Sequence, residues 1–165
     1  MTELAQMSAR SRMALSPLDG TEPATVDDKG RVRLSQKKQE RLGLRFAGYQ
    51  SPLGCLALYP LPVWQEKLME ILEKPASDVD RTIVSRQLGA MSDDELRCDA
   101  QGRFVIPQRF RDDLKLTGDV VIVGATDRAE IWPKVAHDKF KKEIEARAQE
   151  MREMAVEAVV SSQLL

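Results

Sequence analysis

Two short loops carry residues able to grip a charged partner. Asp27-Asp28-Lys29-Gly30-Arg31 and Asp99-Ala100-Gln101-Gly102-Arg103 both read D-x-x-G-R, and the two copies lie 72 residues apart. In each, the aspartate can hold the loop amides and fix its arginine, while Gly30 and Gly102 can take a positive φ at little cost. A guanidinium held in one orientation presents a fork of donors. That fork suits phosphate oxygens, or O6 and N7 of guanine in the major groove. Around the first loop, Lys29, Arg33, Lys37 and Lys38 are candidates for phosphate contacts, as are Arg109 and Arg111 near the second. Phosphate contacts position a protein on DNA, and base contacts specify the sequence. Taken singly, such a loop is only a hairpin turn with an internal ion pair. Two copies in matching basic surroundings favour binding.

The elements around the loops repeat as well. Val32 and Leu34 follow the first loop in alternation, as Phe104 and Ile106 follow the second, and Leu58-Tyr59-Pro60 is echoed by Ile131-Trp132-Pro133. A duplicated unit explains both series. Residues 1–16 read as a mobile N-terminal extension with room for a short helix, residues 17–90 as the first repeat, and residues 91–165 as the second. Strands are predicted at Thr21–Val26, Arg31–Leu34, on both sides of Ser51–Gly54, and at Arg103–Ile106, Val120–Val123 and Ala129–Trp132. Helices are predicted at Gln36–Leu42 behind a Ser35 cap, Val63–Glu73, Asp78–Ala90 behind a Ser77 cap, and Gln108–Leu114. A last helix is predicted from Pro133 to about Val160. It has a stripe of Phe140, Ile144, Ala148, Met151, Ala155 and Val159 that suits packing on the chain's own core or a subunit contact.

Bulk properties narrow the function. The chain has 165 residues, 42% hydrophobic and 31% charged, with a net charge of −1. No global positive field draws it to nucleic acid. Residues 29–45 nevertheless hold seven bases and one acid, a local +6, and residues 97–115 hold five bases and three acids, a local +2. No long apolar span or signal peptide is present, and Cys55 and Cys98 read as small buried hydrophobes in a reducing cytoplasm. The case for an enzyme is thin. His137 is the only histidine, and there is no glycine-rich phosphate loop, H-E-x-x-H or Cys/His set with metal spacing. An aspartate beside a guanidinium stays ionised, so Asp27 and Asp99 make poor general acids. The sequence therefore calls for no metal and no cofactor.

From Leu18 to about Phe140 the chain resembles the MraZ family of bacterial transcriptional regulators, which carry two tandem AbrB-like (SpoVT-AbrB) domains. The residues that carry the resemblance are the two D-x-x-G-R loops, Leu58-Tyr59-Pro60-Leu61-Pro62-Val63-Trp64, Phe104-Val105-Ile106-Pro107, Val120-Val121-Ile122-Val123-Gly124 and Glu130-Ile131-Trp132. The resemblance implies an α+β fold, a pseudo-symmetric swapped-hairpin β-barrel formed by both repeats and flanked by helices. It implies a homo-oligomeric ring in the cytoplasm, associated with the nucleoid and not with membrane. Its partner would be double-stranded DNA carrying short G-rich direct repeats, upstream of the division and cell-wall gene cluster that begins with the protein's own gene. Repression is the implied outcome, with Arg31 and Arg103 as the reading arginines. Three departures stand out. Ser35 replaces the proline that Pro107 keeps, His137 stands where a tryptophan is usual, and about sixteen residues precede the usual start. A protein-interaction scaffold of antitoxin-like type, contacting its partner through the last helix, is the alternative.

Overall fold

The computed structural model describes residues 3–162. Two short helices, α1 (Glu3–Gln6) and α2 (Ala9–Met13), open the chain. There follow β1 (Thr21–Val26), β2 (Arg31–Arg33), α3 (Gln36–Leu42), β3 (Phe46–Gln50), β4 (Leu56–Pro60), α4 (Leu61–Leu72) and α5 (Val79–Ala90). The order then repeats: β5 (Ser92–Leu96), β6 (Arg103–Val105), α6 (Gln108–Leu114), β7 (Gly118–Gly124), β8 (Ala129–Pro133), α7 (Lys134–Ala146) and α8 (Ala148–Ser162). The fold class is α+β, as expected.

The strands form a six-stranded antiparallel sheet, ordered β1-β7-β8-β4-β3-β5, and a separate two-stranded ribbon of β2 and β6. The six-stranded sheet is open, with β1 and β5 at its edges. Its order has a consequence for the duplication. Exchanging each strand with its repeat-mate (β1 with β5, β2 with β6, β3 with β7, β4 with β8) turns the order into its own reverse. Each hairpin, β3–β4 or β7–β8, therefore takes its outer neighbour from the other half of the chain. The halves interleave and do not merely sit side by side.

Alternation along β4 sorts the packing. Leu56 and Leu58 enter the larger core, with Val32, Leu34, Phe46, Phe104, Ile106, Phe110 and Ile131. Ala57 and Tyr59 face a smaller cluster with Ala9, Val63, Trp64 and Leu88. This strand is buried on both faces, which explains its unbroken apolar run. Phe46 and Phe104 meet edge to face, ring centroids 5.3 Å apart at 84°. Phe104 and Val32 thus nail the underside of the β2–β6 ribbon to the core. Cys55 is fully buried, and burial pushes its thiol up to about 12; half-buried Cys98 packs on the larger core, its thiol pushed up to about 11.

Four local differences from expectation have physical causes. The predicted N-terminal extension contains α2, whose first amides, from Ala9 and Arg10, donate to the Glu66 carboxylate, while Arg10 pairs with Glu70 at 3.0 Å. The cap of α5 is Asp78, which accepts from the Arg81 amide at 2.9 Å, and not Ser77. Strand β5 has no apolar alternation in its Ser-Asp-Asp-Glu-Leu sequence; edge position lets its acidic side chains face water. The predicted final helix is two helices, α7 and α8, parted at Arg147, and neither contains a buried residue. Chain contacts divide the molecule into two compact units at the Pro133–Lys134 junction. Among the described residues, no helix is long and apolar enough to cross a membrane, and no group of His, Cys, Asp and Glu could hold a metal ion.

Candidate nucleic-acid interface

The two D-x-x-G-R loops adopt one geometry. In the first, Asp27 Oδ1 accepts from the amides of Lys29 (3.0 Å) and Arg31 (2.8 Å), and Oδ2 accepts from Arg31 Nε at 2.7 Å. In the second, Asp99 Oδ1 accepts from the amides of Gln101 (2.8 Å) and Arg103 (3.0 Å), and Oδ2 accepts from Arg103 Nε at 3.2 Å. Backbone bonds close both turns: Gly30 N–H to Asp27 carbonyl at 2.9 Å, and Gly102 N–H to Asp99 carbonyl at 3.0 Å. Each carboxylate therefore uses one oxygen to shape the loop and the other to hold the inner nitrogen of the guanidinium. The outer nitrogens of both arginines are left without an acceptor among the described residues.

Those same hydrogen bonds hold both carboxyls below the usual aspartate value of 3.8, the arginine amide of each loop being the largest cause. A depressed carboxyl stabilises the fold above its unfolded value and loses that contribution as pH falls through the lowered, folded one. The ordered loop should thus persist across the neutral range and loosen only in acid below 3.8. An NMR titration of the two carboxyl carbons checks this: both midpoints should lie below the usual aspartate value of 3.8.

Loop and loop are also locked to each other. Gly30 carbonyl accepts from Ile106 N–H, and Gly102 carbonyl accepts from Leu34 N–H, both at 2.9 Å. Arg111 of α6 donates Nε to Ile106 carbonyl at 3.0 Å and lies over Gly30. Its repeat-mate Gln39 of α3 donates Nε2 to Leu34 carbonyl at 2.7 Å and lies over Gly102. Each loop is roofed by a side chain from the other half. Gly30 (φ +79°) and Gly102 (φ +77°) are thus required twice, by the left-handed backbone and by a roof that a Cβ would meet inside 3.0 Å. Gly102→Ala should cost about 2–3 kcal/mol, from about 1–2 for the backbone and about 1 for the displaced Gln39 bond. Urea denaturation measures it, and Gly54→Ala, also at positive φ but under open space, should cost less.

The ribbon sets the direction of the arginines. In β2–β6, Arg31 faces Val105, Val32 faces Phe104, and Arg33 faces Arg103. Residues opposite each other share a face, and residues two apart along a strand share it too. Val32 and Phe104 are buried, so Arg31, Arg33, Arg103 and Val105 make up the outer face. Arg33 is exposed there, and Lys29 is exposed in the loop that leads into the ribbon. Three guanidiniums on a two-stranded ribbon is a format the major groove admits.

Other expected contacts lie elsewhere. Lys38 is 4% exposed, and its ammonium points inward to Asp19 carbonyl (3.0 Å), Gly20 carbonyl (3.4 Å) and Glu22 Oε1 (3.2 Å). It cannot reach a phosphate; the helical register of α3 turns it inward while Lys37 stays out, paired with Asp19 at 2.7 Å. Arg109 is exposed but donates both outer nitrogens to the Ala90 (3.1 Å) and Ser92 (2.5 Å) carbonyls, fastening the end of α5. Arg111 belongs to the first loop, over Gly30, and not to the second. Gln39 escaped the sequence reading because it carries no charge. Its signal was the 72-residue spacing to Arg111. Ser35 and Pro107 hold the same backbone, φ −59° and ψ 153° against −50° and 138°. The serine supplies a side-chain cap, accepting from Lys38 N–H at 3.3 Å, that proline lacks.

Known sequences resemble this chain over most of its length. A transcriptional regulator MraZ from Natranaerobius thermophilus is 32% identical over 134 residues, 81% of this chain and 92% of its own. The chain belongs to the MraZ family. The proteins of that name from Caldanaerobacter subterraneus subsp. tengcongensis and Salinispora arenicola are 31% and 33% identical over 131 and 126 residues. They align with 78% and 76% of this chain and with 90% and 88% of their own length. A family model described as "MraZ protein, putative antitoxin-like" matches residues 90–158, which hold the second loop and most of α7 and α8. The relatives are named as regulators and not as enzymes.

Proposed function

We propose that this protein is a sequence-specific DNA-binding transcriptional regulator. It represses the division and cell-wall gene cluster headed by its own gene, from the nucleoid of the bacterial cytoplasm. The observation that carries the reading is the outer face of the β2–β6 ribbon. There, two guanidiniums pre-oriented by Asp27 and Asp99 stand beside a third, Arg33, with no acid between them. Arg31 and Arg103 read guanines in short direct repeats. Lys29, Arg33, Lys37 and Arg111 hold phosphates. Residues 17–90 and 91–165 act as two AbrB-like repeats, and their interleaved hairpins, with the ribbon as the closing layer, form the swapped-hairpin barrel. Several copies assemble into a homo-oligomeric ring. Repeated loops on repeated half-sites then multiply a modest single-loop affinity through effective concentration, which suits a protein of net charge −1.

A gel-shift titration with the DNA upstream of the protein's own gene tests this. The wild type should retard it in preference to scrambled DNA, and the combined Arg31→Ala, Arg103→Ala variant should not. Equal retardation by both would remove the arginines from the site. The antitoxin-like description of the matched family, over a region that includes the exposed Met154 and Val156 of α8, supports a second reading as a partner-binding scaffold. No retardation of the upstream DNA, with a stoichiometric protein co-purifying, would favour it.

A further inference from the structure

The outer face of the ribbon is not symmetric, although the backbone beneath it is. Arg31 and Arg103 are repeat-mates and match. Arg33 and Val105 are also repeat-mates, 72 residues apart, and do not. The register places Arg33 directly across from Arg103, and Val105 directly across from Arg31. One end of the ribbon is therefore a guanidinium pair and the other a guanidinium beside an isopropyl group.

Each end asks for a different surface. Like charges directly opposed across strands destabilise a sheet unless something anionic relieves them. Arg103 has Asp99 for its inner nitrogen, but Arg33 makes no ion pair among the described residues. That end is built to face concentrated negative potential. At the other end Val105 is 54% exposed across from Arg31, while Phe104 and Ile106 on either side of it are buried. A β-branched side chain on a strand is stiff about χ1, so its methyls are presented at a fixed height beside Arg31. The only apolar group on a major-groove edge is the C5 methyl of thymine, and a base pair away a guanine offers O6 and N7.

We propose that Val105 is a specificity-determining residue. It packs on the C5 methyl of a thymine next to the guanine read by Arg31, while Arg33 and Arg103 grip the opposite end of the half-site. The difference between Arg33 and Val105 thereby fixes the direction in which the ribbon lies on DNA. A ribbon with identical ends would accept a half-site equally well in either direction. This assignment rests on the DNA-binding reading above and adds a base and a polarity to it.

The full-length protein should be used to enrich random-sequence duplexes, and the thymines of the winning sequence replaced singly by deoxyuridine, which removes the methyl and keeps the pairing. One replacement should weaken the wild type about fourfold per engaged ribbon, the worth of one buried methyl group. The same replacement should leave Val105→Ala unchanged. The exchange variant Arg33→Val, Val105→Arg should prefer the half-site written backwards. Both positions are exposed, so these variants fold. Enrichment of a sequence in which no deoxyuridine separates wild type from Val105→Ala, and which the exchange variant reads in the original direction, overturns the assignment while leaving the DNA reading in place. Failure of the wild type to enrich any sequence would remove the DNA reading and this assignment with it.

Discussion

Replacing Arg31 and Arg103 together by alanine should lower affinity for the specific DNA site by about 4 kcal/mol, close to 1,000-fold, with the fold unchanged. A bidentate arginine–guanine contact discriminates by about 1–3 kcal/mol, and two of middling strength give that sum. The fold survives because neither guanidinium supports the core. In each loop the aspartate's Oδ1 still holds two amides once Nε is gone. Val32 and Phe104, which anchor the ribbon, are untouched. Binding to scrambled DNA should fall less, since Lys29, Arg33 and Lys37 remain to hold phosphates. Circular dichroism with a gel-shift series on specific and scrambled duplexes separates the two effects. A specific affinity within tenfold of the wild type would count against the reading arginines.

Lys38→Ala should do the opposite. It should cost about 3 kcal/mol of stability and leave DNA affinity per folded molecule unchanged. The ammonium is buried with two backbone carbonyls and the Glu22 carboxylate around it. Removing one partner of a buried charged cluster leaves the others uncompensated, at about 3–5 kcal/mol when fully enclosed. Partial exposure of Glu22, at 31%, sets the lower end. Lys37→Ala, one residue earlier, removes a solvent-exposed pair with Asp19 and should cost far less than Lys38→Ala. Urea denaturation of the two variants gives the comparison. Equal stabilities would show that Lys38 does not brace the 19–22 segment.

Sequence alone was a good guide where the controlling interactions are local. Asp27 to Arg31 and Asp99 to Arg103 are settled within five residues, by an aspartate, a glycine and an arginine that all close on one another, so their loop could be anticipated. Helix α3 could be anticipated from Ser35 for the same reason. What escaped was decided at a distance. Whether Lys37 or Lys38 faces water depends on the approach of residues 19–22, which no local pattern encodes. Strand β5 exists because β3 offers it a free edge, against the preference of its acidic sequence. Arg109 looked like a phosphate contact on charge alone, and only the tertiary fold brings the carbonyl end of α5 to it. The stripe on the last helix has the right period, yet the period gave no sign of the break at Arg147.

The bonds from Ile106 N–H to Gly30 carbonyl and from Leu34 N–H to Gly102 carbonyl make each loop depend on the other half of the chain. A half chain on its own would leave Gly30 carbonyl without the Ile106 amide and the Gly30 loop without its Arg111 roof, so a single-repeat polypeptide would need a second copy to complete either loop. Carrying both copies on one chain makes that partner permanent and independent of concentration. It also releases the two copies from having to be identical. Lys29 against Gln101, Gln39 against Arg111, and Arg33 against Val105 are among the differences between the copies, in the immediate surroundings of the two arginines that match.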